Sequence, residues 1–251
     1  LGGEGDTAGG RAVAGFGDLG VTRETWLSAM LASTTTGSGP GSLDTLYADL
    51  AVDHWFEPVG IRLAAAYWGD DEVLDSGDLR ASIYYRSDSL SISADYERRN
   101  FDLTIGTNVL LRPRVIEFHA DGYGAKARLD VGDATALSLG GMSYSYSRDI
   151  NLQPNIDILR IFSSSRLGLM NSLLDYRFHA GIDWSVGLRT IDLRLERWQT
   201  AIDQGYVDSI GAGFLTPVNQ FSDAEMRLSY DYSDTFGKTI TFSLFFYFFG
   251  A

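Results

Sequence analysis

Apolar and polar side chains alternate one by one along most of the chain from Leu43 onward. Between Leu90 and Glu97, for example, Leu, Ile, Ala and Tyr occupy the even positions, while Ser, Asp and Glu occupy the odd ones. A period of two is typical of a β-strand, because successive side chains point to opposite faces of the sheet. Residues 155–170 are mixed and are compatible with a loop, a helical turn or a further strand. The alternation therefore predicts an all-β fold.

The two faces of these predicted strands differ in a way that favours a membrane barrel over a soluble sandwich. From residue 173 to residue 184, one row is apolar or aromatic, and the opposite row contains two aspartates, an arginine and a histidine. The predicted strands are close to ten residues long, about the length of a tilted strand that crosses the hydrocarbon layer. Tyrosine and tryptophan gather near the strand ends, as in the aromatic girdles at membrane interfaces. In such a barrel the apolar row faces lipid and the charged row faces the interior.

A membrane-spanning form of this chain must be a closed barrel. The longest apolar run, Leu244 to Phe249, is far shorter than the roughly 18 residues of a transmembrane helix. Lipid offers no partner for unpaired backbone groups, so a spanning sheet has to close on itself. The predicted connections are tight at 55–58, 87–88, 132–133 and 186–188 and long at 34–42, 69–78, 148–171 and 199–222. Short turns at one end and long loops at the other are typical of outer-membrane barrels.

The chain divides into a glycine-rich head and a barrel. Residues 1–20 have no clear period, and we expect a flexible leader or a small plug there. Residues 21–251 are predicted to form the barrel, with 21–32 as either a strand or a short helix. With a hairpin turn at Asp121 and Gly122, the strands number about 13, whereas bacterial single-chain barrels have an even number. We therefore expect a single antiparallel transmembrane β-barrel of about 12 strands, with 14 as the next alternative.

The C-terminal segment adds a resemblance to a known class. Residues 239–249 alternate and close in the aromatic residues Tyr247 and Phe249, followed by Gly250 and Ala251. This segment resembles the final strand by which bacterial outer-membrane β-barrel proteins are recognised for insertion, although Leu244 stands where a glycine is common. The resemblance is to the broad porin-like class and not to a particular family. It implies a place in the Gram-negative outer membrane, in contact with membrane lipid and lipopolysaccharide.

The bulk composition excludes several other classes. The formal net charge of −13 argues against nucleic-acid binding, which requires concentrated lysine and arginine. The absence of cysteine excludes disulfides and thiolate metal sites. No cofactor or metal is predicted. The acidic segment Asp70, Asp71, Glu72 and Asp75 lacks the spacing of a known calcium loop, so a solvated loop is the favoured interpretation.

The alternation assigns residues to two sides of the barrel wall. The predicted lumen-lining residues are Arg62, Arg80, Arg86, Asp95, Glu97, Lys126, Arg128, Asp175, Arg177, His179, Asp192, Arg194, Glu196 and Arg227. The predicted lipid-facing residues are Leu174, Phe178, Ile182, Ile240, Phe242, Leu244 and Phe246. Acids and bases are mixed along single strands, so they either form a charged constriction that selects solutes or pair with one another and fill a narrow lumen.

The pattern predicts a small porin or solute channel, and two alternatives stay open. One is a non-conducting barrel that anchors an envelope complex through its long loops or its glycine-rich head. The other is a hydrolase embedded in the barrel, which would need a nucleophile or water beside a histidine and an acid. Of the three histidines, His179 shares a face with Asp175 and Asp183 and is the best candidate for such a group.

Overall fold

The fold is a closed barrel of antiparallel strands. A computed structural model describes residues 1–36, 43–70, 74–105, 114–148, 173–201, 204–233 and 237–249. Within these ranges, the strands are β1 Gly2–Asp6, β2 Arg11–Gly20, β3 Thr25–Thr36, β4 Leu43–Trp55, β5 Val59–Gly69, β6 Leu74–Arg86, β7 Leu90–Ile105, β8 Arg114–Val131, β9 Thr135–Tyr146, β10 Leu174–Val186, β11 Arg189–Thr200, β12 Tyr206–Asn219, β13 Ser222–Ser233 and β14 Gly237–Phe248.

Each strand pairs with the strands before and after it in sequence, and β1 pairs with β14 to close the barrel. At this junction Gly2 lies opposite Phe245, and Asp6 lies opposite Thr241. Closure leaves no sheet edge with unpaired backbone groups, which is the condition for a sheet that spans lipid. The all-β antiparallel barrel is confirmed, but its fourteen strands correct the first expectation of 12 and match the second.

The glycine-rich head lies in the barrel wall. Residues 1–20, which we expected to be a leader or a plug, contain β1 and β2, and β3 then occupies most of the ambiguous segment 21–32. The head shows no period because glycine provides no side chain on the outer face, where Gly3, Gly5, Gly15 and Gly17 lie. The inward row includes the small buried residues Ala12 and Ala14, together with Glu4, which accepts a hydrogen bond from Ser243, and Phe16, which packs against Tyr247.

Three strands differ from the sequence prediction for related reasons. The segment 199–222, predicted as one long connection, contains β12, whose inward row has Gly211 and Gly213 and whose outward row includes Asp208, so its two faces contrast little. Strands β7 and β8 are each continuous where two strands were predicted. Their outward rows become polar beyond Tyr96 and Tyr123, which ends the alternation but not the strand.

The connections are arranged as in outer-membrane barrels. The predicted tight turns after β4, β6, β8 and β10 are confirmed, and they lie at the barrel end that also contains both chain termini. The strand ends that the longer connections join, including the end of β9 and the start of β10, lie at the opposite end. The mixed segment 155–170 falls outside the described residues. Among the described residues, no helix is long and apolar enough to cross a membrane.

An apolar belt surrounds the outside of the barrel. Large apolar side chains remain well exposed there, including Leu50 at 61 % and Leu139 at 65 %. Toward the long connections the belt ends in tyrosines and ion pairs: Arg98 lies 3.8 Å from Asp121, and the Arg197 guanidinium donates two hydrogen bonds to Asp208. A barrel that exposes its apolar rows outward and turns its charges inward is inverted relative to a soluble protein.

Candidate functional site in the barrel interior

The strand phase directs most of the predicted lumen residues inward. On β10 and β11, for instance, Arg177, His179, Arg194 and Glu196 point inward, and their neighbours Phe178 and Leu195 point outward. The predicted residues that lie on inward rows are Arg62, Arg80, Arg86, Asp95, Glu97, Lys126, Arg128, Arg177, His179, Asp192, Arg194, Glu196 and Arg227.

The predicted lipid-facing residues occupy the outward rows with one exception. On β10, Phe178 and Ile182 are 55 % and 37 % exposed on the outer surface. On β14, Ile240, Phe242 and Phe246 are similarly exposed, and Leu244 shares their row opposite Met226. These positions belong to the apolar belt.

Leu174 is the exception, and Asp175 changes with it. A register shift between Leu174 and Tyr176 interrupts the alternation at the start of β10. Leu174 is consequently buried at 2 % exposure and lines an interior cavity instead of facing outward. The Asp175 carboxylate accepts a hydrogen bond of 2.6 Å from Gln204 in the β11–β12 connection, so it belongs to the rim rather than to the lumen. A bulge reverses the facing of adjacent residues, and no hydrophobic pattern announces it.

A cavity of about 400 Å³ lies in the interior against β8–β11. Charged and apolar groups share its lining. Its charged and histidine side chains, among the described residues, are Lys126, Arg128, Arg177, His179, Asp183, Arg194 and Glu196. Its larger apolar residues at inward positions are Met142, Leu174 and Trp198, and Phe178 of the outward row also borders it. Water reaches this region, because the Lys126 and Arg128 side chains are 52 % and 47 % exposed. The space is large enough for a small organic molecule.

Ion pairs neutralise most of the cations around this cavity. Lys126 Nζ lies 3.4 Å from Asp95. Arg128 on β8 pairs with Asp183, which lies two strands away on β10, and it also lies 3.3 Å from Asp130. The Arg194 guanidinium lies 3.8 Å from Asp192. These cations therefore already have carboxylate partners.

Arg177 is different because it lies where two cavities meet. A second cavity of about 150 Å³, lined by Arg62, Arg80 and Glu97 among others, shares Lys126, Met142 and Arg177 with the larger one. Within the described part of the chain, no ion pair or hydrogen bond joins the Arg177 guanidinium to another residue. Arg177 thus presents a charge to the shared space that the other residues of the site do not neutralise.

A buried polar network lies beside Arg177. The Arg99 side chain donates to Glu97 Oε1 at 2.9 Å and to the Tyr144 hydroxyl at 3.2 Å, and that hydroxyl donates to Glu97 Oε2 at 2.8 Å. The Arg99 and Glu97 side chains are only 4 % exposed. Both Glu97 oxygens are therefore engaged. Sequence reasoning did not include Arg99, although the same inward parity that gave Asp95 and Glu97 extends to it.

Aromatic and apolar side chains fill the interior toward the long connections. Phe101 stacks on Phe118 at 5.0 Å, and Trp68 and Trp198 are both less than a tenth exposed. The cluster comprises Trp68, Phe101, Phe118, Ala120, Met142, Tyr144, Leu173, Leu174, Trp198, Ala201 and Val207. Sequence reasoning missed it because its members come from many strands, with no more than two from any one strand. The charged cavity therefore lies on the short-turn side of an apolar layer.

Glycine at position 140 makes room for two of the cavity side chains. A Cβ atom on Gly140 would lie 2.8 Å from His179 Nε2 and 2.9 Å from Lys126 Cγ. Both side chains come from the strands on either side of β9 and pass over this glycine. The width of the cavity here depends on the missing side chain.

Further inward residues lie on β13 and β14 and at the short-turn ends of β4 and β6. The Arg227 guanidinium donates to Glu225 at 2.5 Å, and the Tyr247 hydroxyl donates to the other oxygen of that carboxylate. Arg86 lies over the rings of Trp55 and Tyr84 at 5.2 and 5.6 Å. These groups are paired or stacked.

Among the described residues, His119 and His179 each lie beside an acid, His179 opposite Glu196, but no hydrogen bond joins either imidazole ring to a serine or threonine hydroxyl. His54 shares a 2.8 Å hydrogen bond with Thr25, and His119 lies 3.8 Å from Asp121 on an outward row. His179 lies inside, packed over Gly140. No cluster of three or more metal-ligating side chains occurs in the described ranges, and of the acidic loop Asp75 accepts a hydrogen bond from Tyr67.

Comparison with known proteins shows which barrels share this fold. No protein-family model matches the sequence, and no curated protein has a significant match to it. Among solved structures, the CymD monoaromatic hydrocarbon channel matches all of this chain and 88 % of its own, with a TM-score of 0.62 and 12 % identity. A FadL homologue of Pseudomonas aeruginosa matches 94 % of this chain and 78 % of its own (TM-score 0.58, 10 % identity). OccK3 of the same organism matches 95 % and 69 % (TM-score 0.52, 13 % identity). The structural neighbours are outer-membrane channels, and this chain has their barrel fold.

Proposed function

We propose that the protein is a solute channel of the bacterial outer membrane. The observation that carries this proposal is a water-accessible, charged cavity inside a closed barrel whose outer surface is an apolar belt. The fold that the chain shares with CymD and the FadL homologue supports the same assignment. The proposed neighbours of the outer surface are membrane lipid and, beside the ion pairs of Arg98 and Arg197, lipopolysaccharide.

The path of the solute runs through the space that the two cavities share. Lys126, Met142 and Arg177 border both cavities, so a molecule that moves along the interior contacts them. The apolar cluster toward the long connections makes this path narrow. The channel is therefore selective for small solutes rather than a wide pore, because side chains and not the barrel diameter set its width.

This proposal is preferred to the two alternatives for specific reasons. An anchoring barrel needs no water-accessible cavity, and a packed interior of ion pairs would serve it. A hydrolase needs a histidine oriented by an acid beside a nucleophile, and the site provides no such arrangement among the described residues. The long loops and the N-terminal strands β1 and β2 are the candidate contact sites for envelope protein partners.

Planar-bilayer recording of the refolded protein tests the proposal. We expect the protein to require detergent, to migrate differently on gels before and after heating, and to produce discrete conductance steps. Arg177→Glu should shift the reversal potential toward cation selectivity, because substitutions in a lumen change selectivity. Arg197→Glu, on the outward face of the adjacent strand, is the matched control and should leave the reversal potential unchanged.

Two results would contradict the channel. One is a correctly folded, heat-modifiable barrel that never conducts. The other is conductance whose selectivity is identical in wild type and in the folded Arg177→Glu variant, since the current would then pass elsewhere.

A further inference from the structure

We infer that the larger cavity binds small organic anions, with Arg177 holding the oxyanion and Met142, Leu174 and Trp198 contacting an apolar body. This inference rests on the proposed channel function and names the class of solute. A carboxylate attached to a small hydrocarbon or aromatic group is the simplest member of that class.

Arg177 is the cavity cation whose charge the described part of the barrel wall leaves unneutralised. Lys126, Arg128 and Arg194 have carboxylates within 4 Å, whereas the Arg177 guanidinium has none among the described residues. Glu97, which borders the smaller cavity together with Arg177, already accepts hydrogen bonds on both oxygens from Arg99 and Tyr144. An oxyanion in the cavity is therefore the partner that completes the electrostatics of the site.

The geometry of the Arg177 guanidinium suits an oxyanion. A guanidinium presents a planar set of donors that matches a carboxylate or phosphate in a two-point contact, which an ammonium cannot reproduce. Arg177 is directed into space that two cavities share, so a ligand can approach it from either side. Its side chain is partly exposed, and no backbone or carboxylate oxygen of a described residue occupies its donors.

Apolar side chains beside Arg177 provide a surface for the rest of the ligand. Met142, Leu174 and Trp198 line the same cavity as Arg177, and all three are less than a tenth exposed. Their apolar surface lies on the side of the cavity that faces the long connections. A hydrated inorganic ion gains nothing from that surface, whereas an organic anion transfers its apolar part out of water. The volume of about 400 Å³ accommodates a molecule of this kind.

A series of three matched probes tests the inference: phenylacetate, 2-phenylethanol and 2-phenylethylamine share an aromatic ring and differ in charge. Binding to the refolded protein in detergent micelles is measured by tryptophan fluorescence, with Trp198→Phe identifying the signal from the cavity. We expect phenylacetate to bind and the other two to bind at least about tenfold more weakly, the factor that a charge-assisted hydrogen bond contributes. Acetate, which lacks the ring, should also bind more weakly.

The variants separate the role of Arg177 from folding. Arg177→Gln should weaken phenylacetate binding about tenfold to hundredfold, and Arg177→Lys, which retains the charge but loses the two-point contact, should fall between. Arg197→Gln should bind as wild type does, since that guanidinium pairs with Asp208 on the outer face. Heat-modifiable mobility verifies the fold of each variant.

The outcomes also distinguish this inference from the channel itself. Equal binding of the three probes, or wild-type phenylacetate affinity in folded Arg177→Gln, overturns the anion site even if the protein conducts. A folded wild-type protein that binds phenylacetate through Arg177 but never conducts supports the site and overturns the channel.

Discussion

Replacing Ile182 by arginine is expected to destabilise the barrel by about 2–4 kcal/mol, whereas the same change at Phe178 is expected to cost about 0–1 kcal/mol. Both residues lie on the outward row of β10 and both are exposed there. Phe178 lies opposite Arg197, which ends the apolar belt in a pair with Asp208, whereas Ile182 lies opposite Leu193 inside the belt. The native structure thus already contains an arginine on the outer face at the membrane depth of Phe178.

The difference in membrane depth between Phe178 and Ile182 determines how much each arginine substitution destabilises the barrel. Four residues separate the two positions, which corresponds to about 13 Å along the strand and roughly 10 Å of depth at a tilt of 35–45°. An arginine near the midplane has to desolvate its charge or deform the bilayer, while one at the belt edge reaches the headgroups. Ile182→Arg therefore incurs the midplane cost, and Phe178→Arg does not.

Reversible guanidinium unfolding of the protein in lipid vesicles, followed by tryptophan fluorescence, measures both free energies. The references are Ile182→Leu and Phe178→Leu, because Phe178 also packs on Tyr176 at 5.2 Å and loses that contact in any variant. Similar costs at the two positions, or a cost below about 1 kcal/mol at Ile182, would refute the position of the belt along β10.

Three further predictions concern the interior. Glu97→Gln should lower the free energy of unfolding by about 3–5 kcal/mol, because it removes the carboxylate that pairs with the buried Arg99 guanidinium, and the double change with Arg99→Met should recover most of that loss in denaturant unfolding. Gly140→Ala should reduce single-channel conductance, because the new Cβ displaces His179 and Lys126, whereas Gly17→Ala, with no atom within 4 Å of its Cβ, should conduct as wild type does. Gly2→Val should prevent the barrel from closing, since Phe245 occupies the space, and the gel shift on heating should disappear; a normal shift contradicts this.

The sequence is informative about the fold where the two faces of a strand differ in polarity. Along β4, β5, β10, β11, β13 and β14 an apolar row contrasts with a polar or charged one, and these strands were predicted within a few residues of their observed limits, whereas β6 begins at Leu74, inside the connection predicted at 69–78. The contrast weakens at β1, β2 and β12, where glycine and small residues interrupt both rows. It also weakens in the outer parts of β7 and β8, where the outward residues lie beyond the apolar belt and are mostly polar. The two-residue period of hydrophobicity reflects the difference between the environments on the two faces of a strand. It disappears wherever these environments, or the side chains on the two faces, become alike.

The site was predictable only as a set of inward residues. The alternation along each strand placed Arg177 and Lys126 inside the barrel. It could not show which charges are neutralised, because partners such as Arg128 and Asp183 are two strands apart in the barrel. It also could not predict the bulge that brings Leu174 into the cavity. The register and curvature of the closed sheet decide these contacts, and neither is encoded in the alternation of a single strand.

Strands β10 and β11 show how one physical quantity, the desolvation of a guanidinium, determines the place of each arginine. Arg177 and Arg197 lie at almost the same depth along the barrel axis, since Arg197 lies opposite Phe178. Arg177 nevertheless faces the interior and Arg197 faces the outside. Arg197 is tolerated on the apolar side because it lies at the belt edge and donates two hydrogen bonds to Asp208, which neutralises it where lipid begins. Arg177 lies inside, where water in the cavity can solvate it, so it requires no carboxylate from the barrel wall. The outer arginine is thus committed to the structure, and the inner one is available to a solute.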